Sequence, residues 1–294
     1  MRERVGGEQL AKQFEAHRSR LHTVAYRILG SSGEADDAVQ ETWLRLASAN
    51  APDNLGGWLT TVTARVSLDM LRLRKARREI SPAPGVPEPA TDRTGQSDPE
   101  HEALLADAVG LALLVVLDTL APAERLAFVL HDMFALPFAE IAVVLDCSTA
   151  AARQLASRAR RRVRGTPRIP DAGLASRRAV ADAFLTAARG GNFDALLALL
   201  APDVVLRADA VAAPPQGREI HGAASVAGGA VQFSTHARFA QVALINGTVG
   251  IIVAPGGRLT SVLELTIVDD QITELRLTGN PASLHRLTVS VMTV

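Results

Sequence analysis

Seven arginines and no acid occupy the sixteen residues from Arg153 to Arg168, in a chain of 294 residues whose 31 basic and 31 acidic side chains cancel. Guanidinium groups at that density suit a polyanion, since each presents paired N–H donors that match phosphate oxygens. The frame around them narrows the chemistry. Pro137–Asp146 reads as a short amphipathic helix, Cys147-Ser148 as a turn, and Ser148 or Thr149 as the cap of a second helix. On that second helix Ala152, Leu155 and Ala159 point inward, leaving Ala150, Ala151, Arg153, Gln154, Ser157, Arg158 and Arg161 outside. This is the helix-turn-helix pattern, in which the second helix enters a DNA major groove with its N-terminal half on base edges. Small side chains at Ala150 and Ala151 permit close approach. Arg153 and Gln154 have the donors and acceptors for guanine and adenine edges, and the arginines from Arg158 to Arg164 suit phosphates. The candidate DNA contacts are Thr149, Arg153, Gln154, Ser157, Arg158, Arg161 and Arg162. An arginine-rich helix end is also compatible with a solvated face that complements the helix dipole, but the preceding helix, turn and cap favour DNA.

Other charges are segregated too. Residues 65–78 hold six basic side chains and one acid, Asp69, whereas residues 79–107 hold seven acids and one base, Arg93. Asp36, Asp37, Gln40, Glu41, Trp43 and Leu44 form an acidic and apolar face that disfavours DNA and suits a protein partner; core packing for Trp43 and simple solvation for the acids remain open. Asp209, His221, His236, Glu264 and Arg276 are candidates for pocket chemistry, but none stands at a spacing that specifies a reaction. No metal-ligand cluster is visible, and no cofactor or catalytic residue is expected.

Elements must position these groups. Phe14, Leu21, Val24, Ala25, Ile28 and Leu29 recur at helical spacing up to Gly30. Ala38, Val39, Trp43, Leu44 and Leu46 mark a second helix. Leu59, Val62, Val66, Met70 and Leu73 mark the buried side of a third, Trp58–Arg78, after a loop over Asn50–Gly57. Residues 80–99 carry five prolines and read as a linker. Residues 100–165 return to helix, with Pro122 and Pro137 where new helices begin, and residues 166–174 form a second joint. From residue 175 two helices precede strands over 204–208, 238–245, 249–253, 259–268 and 271–277. That grammar implies an α+β domain with an antiparallel sheet. The single cysteine excludes an internal disulfide. There is no apolar leader, and the longest apolar run, near Leu111–Leu117, is too short for a bilayer, so a soluble cytoplasmic protein with no membrane partner is expected.

Three stretches, YRILGSSGEADDAVQETWLRL (26–46), GGWLTTVTARVSLDMLRLRKARRE (56–79) and LAPAERLAFVLHDMFALPFAEIAVVLDCSTAAARQLASRARRRV (120–163), resemble bacterial RNA polymerase sigma factors of the extracytoplasmic-function group. The resemblance implies two all-α domains, region 2 over 8–79 and region 4 over 100–165. It implies core RNA polymerase (β′ clamp helices and β flap) and promoter DNA as partners. In it, Asp36, Asp37, Gln40, Glu41, Trp43 and Leu44 hold the polymerase. Arg65, Asp69, Arg72, Arg74 and Lys75 hold the −10 duplex, Asn50, Asp53 and Asn54 capture a flipped −10 base, and the helix from Thr149 reads the −35 element.

Residues 175–294, through RAVADAFLTAARGGNFDALLALLAPDVVLRAD (178–209), GREIHGAASVAGGAV (217–231) and ITELRLTGNPASL (272–284), resemble the SnoaL-like, nuclear-transport-factor-2-like fold. The combination resembles sigma factors of the SigJ type, which implies regulation in cis through Pro87, Glu88 and Pro89 of the linker and Asn280, Pro281 and Leu284. Departures from the family pattern are clear. Gly85-Val86-Pro87-Glu88-Pro89 stands for Trp-Leu-Pro-Glu-Pro, and Asn280-Pro281-Ala282-Ser283-Leu284 for Asn-Pro-Asp-Lys-Leu. Asp209-Ala210-Val211-Ala212-Ala213 stands for Asp-Gly-Gly-Gly-Lys. The alternative is a ligand-sensing or enzyme-like domain, with a small apolar ligand in its pocket and the sigma half as transcriptional output.

Overall fold

Apolar residues recurring every third or fourth position bring the N-terminal stretch into helices that share one core. The structure, a computed structural model, describes residues 2–49, 54–80, 110–165, 171–213 and 217–292. Helices α1 (Arg2–Leu29), α2 (Ser32–Ser48) and α3 (Leu55–Ile80) come first. Gly30 stops α1 with φ +78°, a conformation that a side chain resists. Phe14, Leu21, Val39, Leu46 and Leu59 cluster, with Trp43 packed against them.

Helix α3 starts three residues before Trp58. The Asn54 side chain accepts the Gly57 N–H at 3.0 Å, so Leu55–Gly57 form a capped first turn instead of a loop. Its buried side also differs from expectation. Leu59 and Val66 are buried and Val62 and Met70 half-buried, but Leu73 is 60% exposed while Leu68 and Leu71 are buried.

Next come α4 (Leu111–Thr119) and α5 (Pro122–Phe128), which runs on into a π-helical turn over Val129–Met133. Helices α6 (Phe138–Leu145) and α7 (Thr149–Arg164) follow. Pro122 begins α5 and Pro137 caps α6, as expected. The misplaced Leu73 has its cause here: α3 packs on α5 and α6 as well as on α1 and α2, which buries a second arc through Ala64, Leu68 and Leu71.

The remainder is α+β: α8 (Asp171–Arg189), α9 (Phe193–Leu199), β1 (Leu200–Ala208), β2 (Arg218–His221), α10 (Ala223–Gln232), α11 (Ser234–Ala237), β3 (Ala240–Ile245), β4 (Thr248–Val253), β5 (Ser261–Val268), β6 (Gln271–Thr278), α12 (Pro281–Leu284) and β7 (Val289–Ser290). The strands lie in the order β2-β1-β6-β5-β4-β3-β7. The sheet is mixed and not purely antiparallel, because β1 pairs parallel with β6. Asn246-Gly247 and Asp269-Asp270 turn the hairpins with positive φ at both residues, as two-residue turns require. Val180, Phe184, Leu185 and Leu196 pack on Val242, Ile251, Leu265 and Leu275 to form the core.

The chain divides into two compact units, one from residues 1–102 and 117–161, the other from residues 103–116 and 162–294.

Candidate nucleic-acid interface

Helix α7 is one-sided. Ala152, Ala156, Ala159 and Val163 are buried, while Ala150, Arg153, Gln154, Ser157, Arg158, Arg161 and Arg162 are exposed; Thr149, Ala151 and Leu155 are intermediate. Ala156 therefore takes the inward place expected of Leu155. Asp146 reverses the chain in the left-handed region, φ +52°, and Ser148 caps α7 by accepting the Ala151 N–H at 3.1 Å. Two of the arginines are engaged within the first unit. Arg158 Nε donates to Glu124 at 2.8 Å and Arg160 Nε to Asp132 at 2.6 Å. Among the described residues no carboxylate pairs with Arg153 or Arg161.

On α3, Arg65, Asp69, Arg72 and Lys75 are exposed. Arg72 reaches Asp69 at 3.7 Å, and Arg65 donates to the Val143 carbonyl of α6 at 2.9 Å. Arg74 is turned inward: it donates to the Leu29 carbonyl and Glu34, both at 3.2 Å, and to Asp118 at 3.1 Å. Asp118 also accepts from Arg125 at 3.3 Å. Arg125 is only 2% exposed, and its Nε is buried with no partner. Burial pushes its guanidinium down to about 10, against the pull of Asp118. Asn54 caps its own helix; Asn50 and Asp53 lie outside the described residues.

On α2, Asp36, Asp37, Gln40 and Leu44 line one outer stripe, with Leu44 55% exposed. Glu41 pairs with Arg45 at 2.9 Å. Trp43 leans on Phe14, ring centroids 5.1 Å apart, so core packing accounts for much of it.

Within the second unit, two contacts that sequence reasoning missed join residues 103–116 and 162–165 to the α+β part. Gln241 on β3 accepts the Ala112 N–H at the start of α4 at 2.8 Å, and Gly257 leaves room for Leu114. At the other end, the Val291 N–H donates to the Val163 carbonyl at 2.9 Å. A lone glutamine in an apolar strand was the signal for the first; a two-residue strand offers none for the second.

Asp209 is structural. Its Oδ1 accepts from Val211 and Ala212 and its Oδ2 from Gly279 and Asn280, at 2.8–3.0 Å. It thereby ties the Asp209–Ala213 stretch to Asn280–Leu284. Asn280 caps α12 through Ala282 and Ser283, Pro281 is exposed and Leu284 is buried. Pro87, Glu88 and Pro89 lie outside the described residues.

The pocket candidates do not converge. His221 pairs with Glu219 at 3.1 Å and His236 stacks on Phe233. Glu264 faces Arg276 across β5 and β6. The groove that Glu264 and Arg276 border carries Arg177 and Glu274 beside Val249, Leu265 and Ile267, a mixed lining that by itself selects no ligand. Among the described residues no group of three His, Cys, Asp or Glu could hold a metal, and no helix is long and apolar enough to cross a membrane.

Residues 13–79 match the pattern of Sigma-70 region 2, and residues 110–163 that of Sigma-70 region 4. The "ECF RNA polymerase sigma factor SigJ" of Mycobacterium tuberculosis H37Rv is 38% identical over 92% of this chain and 91% of its own. The "Probable ECF RNA polymerase sigma factor SigI" of the CDC 1551 strain is 33% identical over 95% and 96%. The crystal structure of Mycobacterium tuberculosis SigJ aligns over 94% of this chain and 98% of its own at 32% identity, with a TM-score of 0.45. Two sigma regions in order, followed by an α+β domain, and identity sustained along nearly the whole chain place it: the protein belongs to the extracytoplasmic-function sigma factors, the non-enzymatic initiation factors that direct RNA polymerase to promoters.

Proposed function

We propose that α2 holds core RNA polymerase through Asp36, Asp37, Gln40 and Leu44, that α3 together with Asn50, Asp53 and Asn54 engages the −10 element, that α7 reads the −35 element, and that the α+β unit restrains region 4 in cis. The place of action is that of the polymerase, the cytoplasm. The observation that carries this reading is the one-sided α7, capped at Ser148, with alanines inward and Arg153, Gln154, Ser157 and Arg161 outward. An exposed arginine on a phosphate releases counterions when it binds, so Arg161→Ala is expected to lower the slope of log K against log salt by about 1 on every promoter sequence. Arg158→Ala is expected to lower it less, because Glu124 already neutralises that side chain. Promoter binding by the holoenzyme across a salt series reads both, and an unchanged slope for Arg161→Ala removes α7 from the phosphate contacts.

The restraint in cis rests on Gln241 and Val291. Loss of a helix N-cap costs about 1 kcal/mol, and the Gln241 contact belongs to the chain without polymerase. Gln241→Ala in the full-length protein is therefore expected to raise run-off transcription by up to about fivefold. The point substitution is preferable to removing the domain, which would strip Gly257 from Leu114 and Gln241 from Ala112, Leu114 and Ala112 each being 1% exposed. An unchanged rate counts against the restraint.

A further inference from the structure

We infer that Phe138 is a positioning residue for Arg153, and so helps set which base the −35 helix selects; this rests on the reading of α7 as that helix. Arg153 lies on the exposed N-terminal half of α7, and no carboxylate among the described residues holds it. A guanidinium on a long side chain samples many rotamers, and bidentate reading of a guanine O6 and N7 requires one of them. What the structure places beside it is a ring. The Arg153 Cζ lies over the Phe138 ring, 5.8 Å from the centroid, within the range of a cation–π contact.

That ring is itself held. His131 stacks on Phe138 with centroids 3.8 Å apart and planes 26° from parallel. His131 is fixed in turn by its Nδ1, 3.0 Å from the Leu136 carbonyl. A carbonyl only accepts, so Nδ1 is the protonated nitrogen. The backbone that aims His131 is the π-helical turn Val129–Met133. It closes with the Leu136 N–H on the Leu130 carbonyl at 2.9 Å and with Ala135 at φ +54°. The wider turn of a π-helix swings the side chain off the line an α-helix gives it. Leu130 and Leu136 are 0% and 7% exposed, so the turn is anchored. A continuous series of contacts thus runs from a turn anchored by Val129 and Leu130 through His131 and Phe138 to the guanidinium of Arg153.

Simple apolar filling by a half-buried phenylalanine is the competing account, and leucine separates the two. Phe138→Leu keeps apolar bulk and removes the aromatic face; Phe138→Tyr keeps the face. The full-length chain with core polymerase is assayed on a promoter library randomised across the −35 element, and thermal melting of each variant reads stability separately. Arg153→Ala is expected to erase discrimination at one base position, where guanine is preferred. Phe138→Leu is expected to weaken discrimination at that position alone by about two- to fivefold, Phe138→Tyr to restore it, and Phe138→Leu to have no further effect once Arg153 is alanine. If Phe138→Leu lowers preference evenly at all positions, or leaves the Arg153-dependent position intact, the positioning role is wrong and the −35 reading stands. If Arg153→Ala changes no base preference, the assignment of Arg153 to base reading fails and the inference falls with it.

Discussion

Replacing Asp118 by asparagine is expected to destabilise the N-terminal unit by about 3 kcal/mol and, at the same time, to raise affinity for the −10 duplex. The two effects have one origin. Asp118 accepts from Arg74 at 3.1 Å and from Arg125 at 3.3 Å, so one carboxylate neutralises two guanidinium groups. Arg125 is 2% exposed, with one donor unpartnered, and its charge is already costly there. Neutralising the paired anion leaves a buried cation with only the weaker pull of Glu34 against it, and breaking a buried pair in this way is among the largest penalties a single substitution carries. The cost of burying that charge is fully present below about pH 10, where Arg125 is protonated in the folded chain. It eases only above that, as the folded form releases a proton that the unfolded form keeps. Arg74, by contrast, keeps Glu34 and the Leu29 carbonyl and becomes less tightly held. If α3 engages the −10 element as proposed, a guanidinium on it that is less committed to carboxylates is more available to phosphates. Arg125→Met is the control: it removes the buried charge together with its orphan Nε and is expected to leave stability within about 1 kcal/mol or improve it. Chemical denaturation and −10 binding by the holoenzyme, measured on both variants, test this. Loss of −10 affinity in Asp118→Asn in proportion to its loss of stability would show that Arg74 serves the fold alone.

The arginines of this chain show what a sequence discloses and what it hides. The α6–α7 pattern was legible because local periodicity settles it: Ala152 and Ala159 fall inward, a serine caps, and the turn is short. Both hairpins announced by Asn246-Gly247 and Asp269-Asp270 are present, for the same local reason. Arg65 and Arg74 look no different in sequence from Arg72, yet they donate to Val143 and Asp118, far away along the chain. Nothing local marks a basic residue as pinned. Leu73 was misplaced because periodicity assumes one buried stripe, whereas α3 is covered on two sides. The parallel pairing of β1 with β6 was missed because each strand has the same alternation whichever neighbour it takes. Strands β2 and β7 are too short to show a pattern, and α10 is rich in glycine and alanine. Gln241, Asp118 and Arg125 are single polar residues whose meaning lies in partners brought close only by folding.

Asp209→Asn is expected to cost about 1–2 kcal/mol at pH 7, a figure reduced because water reaches the site. It should do so in a part of the molecule that reaches region 4. A carboxylate can accept from four backbone N–H groups because both oxygens are acceptors. An asparagine offers one oxygen, and its amide turns N–H against N–H on the other side. Burial raises the Asp209 carboxyl, but the N–H groups of Ala212, Asn280, Gly279 and Val211 outweigh that and hold it below its ordinary value. A carboxylate depressed in the folded state stabilises above its unfolded pKa of about 3.9 and stops doing so as pH falls through the folded value. The natural chain should therefore lose stability on acidification through that range, and Asp209→Asn should lack that component. The loss also spreads along the chain. Asp209 holds Gly279 and Asn280, Asn280 caps α12, and α12 leads to β7, which pairs with β3 and is followed by Val291 on the Val163 carbonyl. Loosening the carboxylate loosens that strap on the last turn of α7. If the restraint in cis runs through it, Asp209→Asn and Gln241→Ala should both raise run-off transcription, and the double variant should exceed either. Stability at pH 7 equal to that of the natural chain would reduce the four N–H contacts to geometry without energy. Lowered stability with unchanged transcription would confine Asp209 to the fold of its own domain.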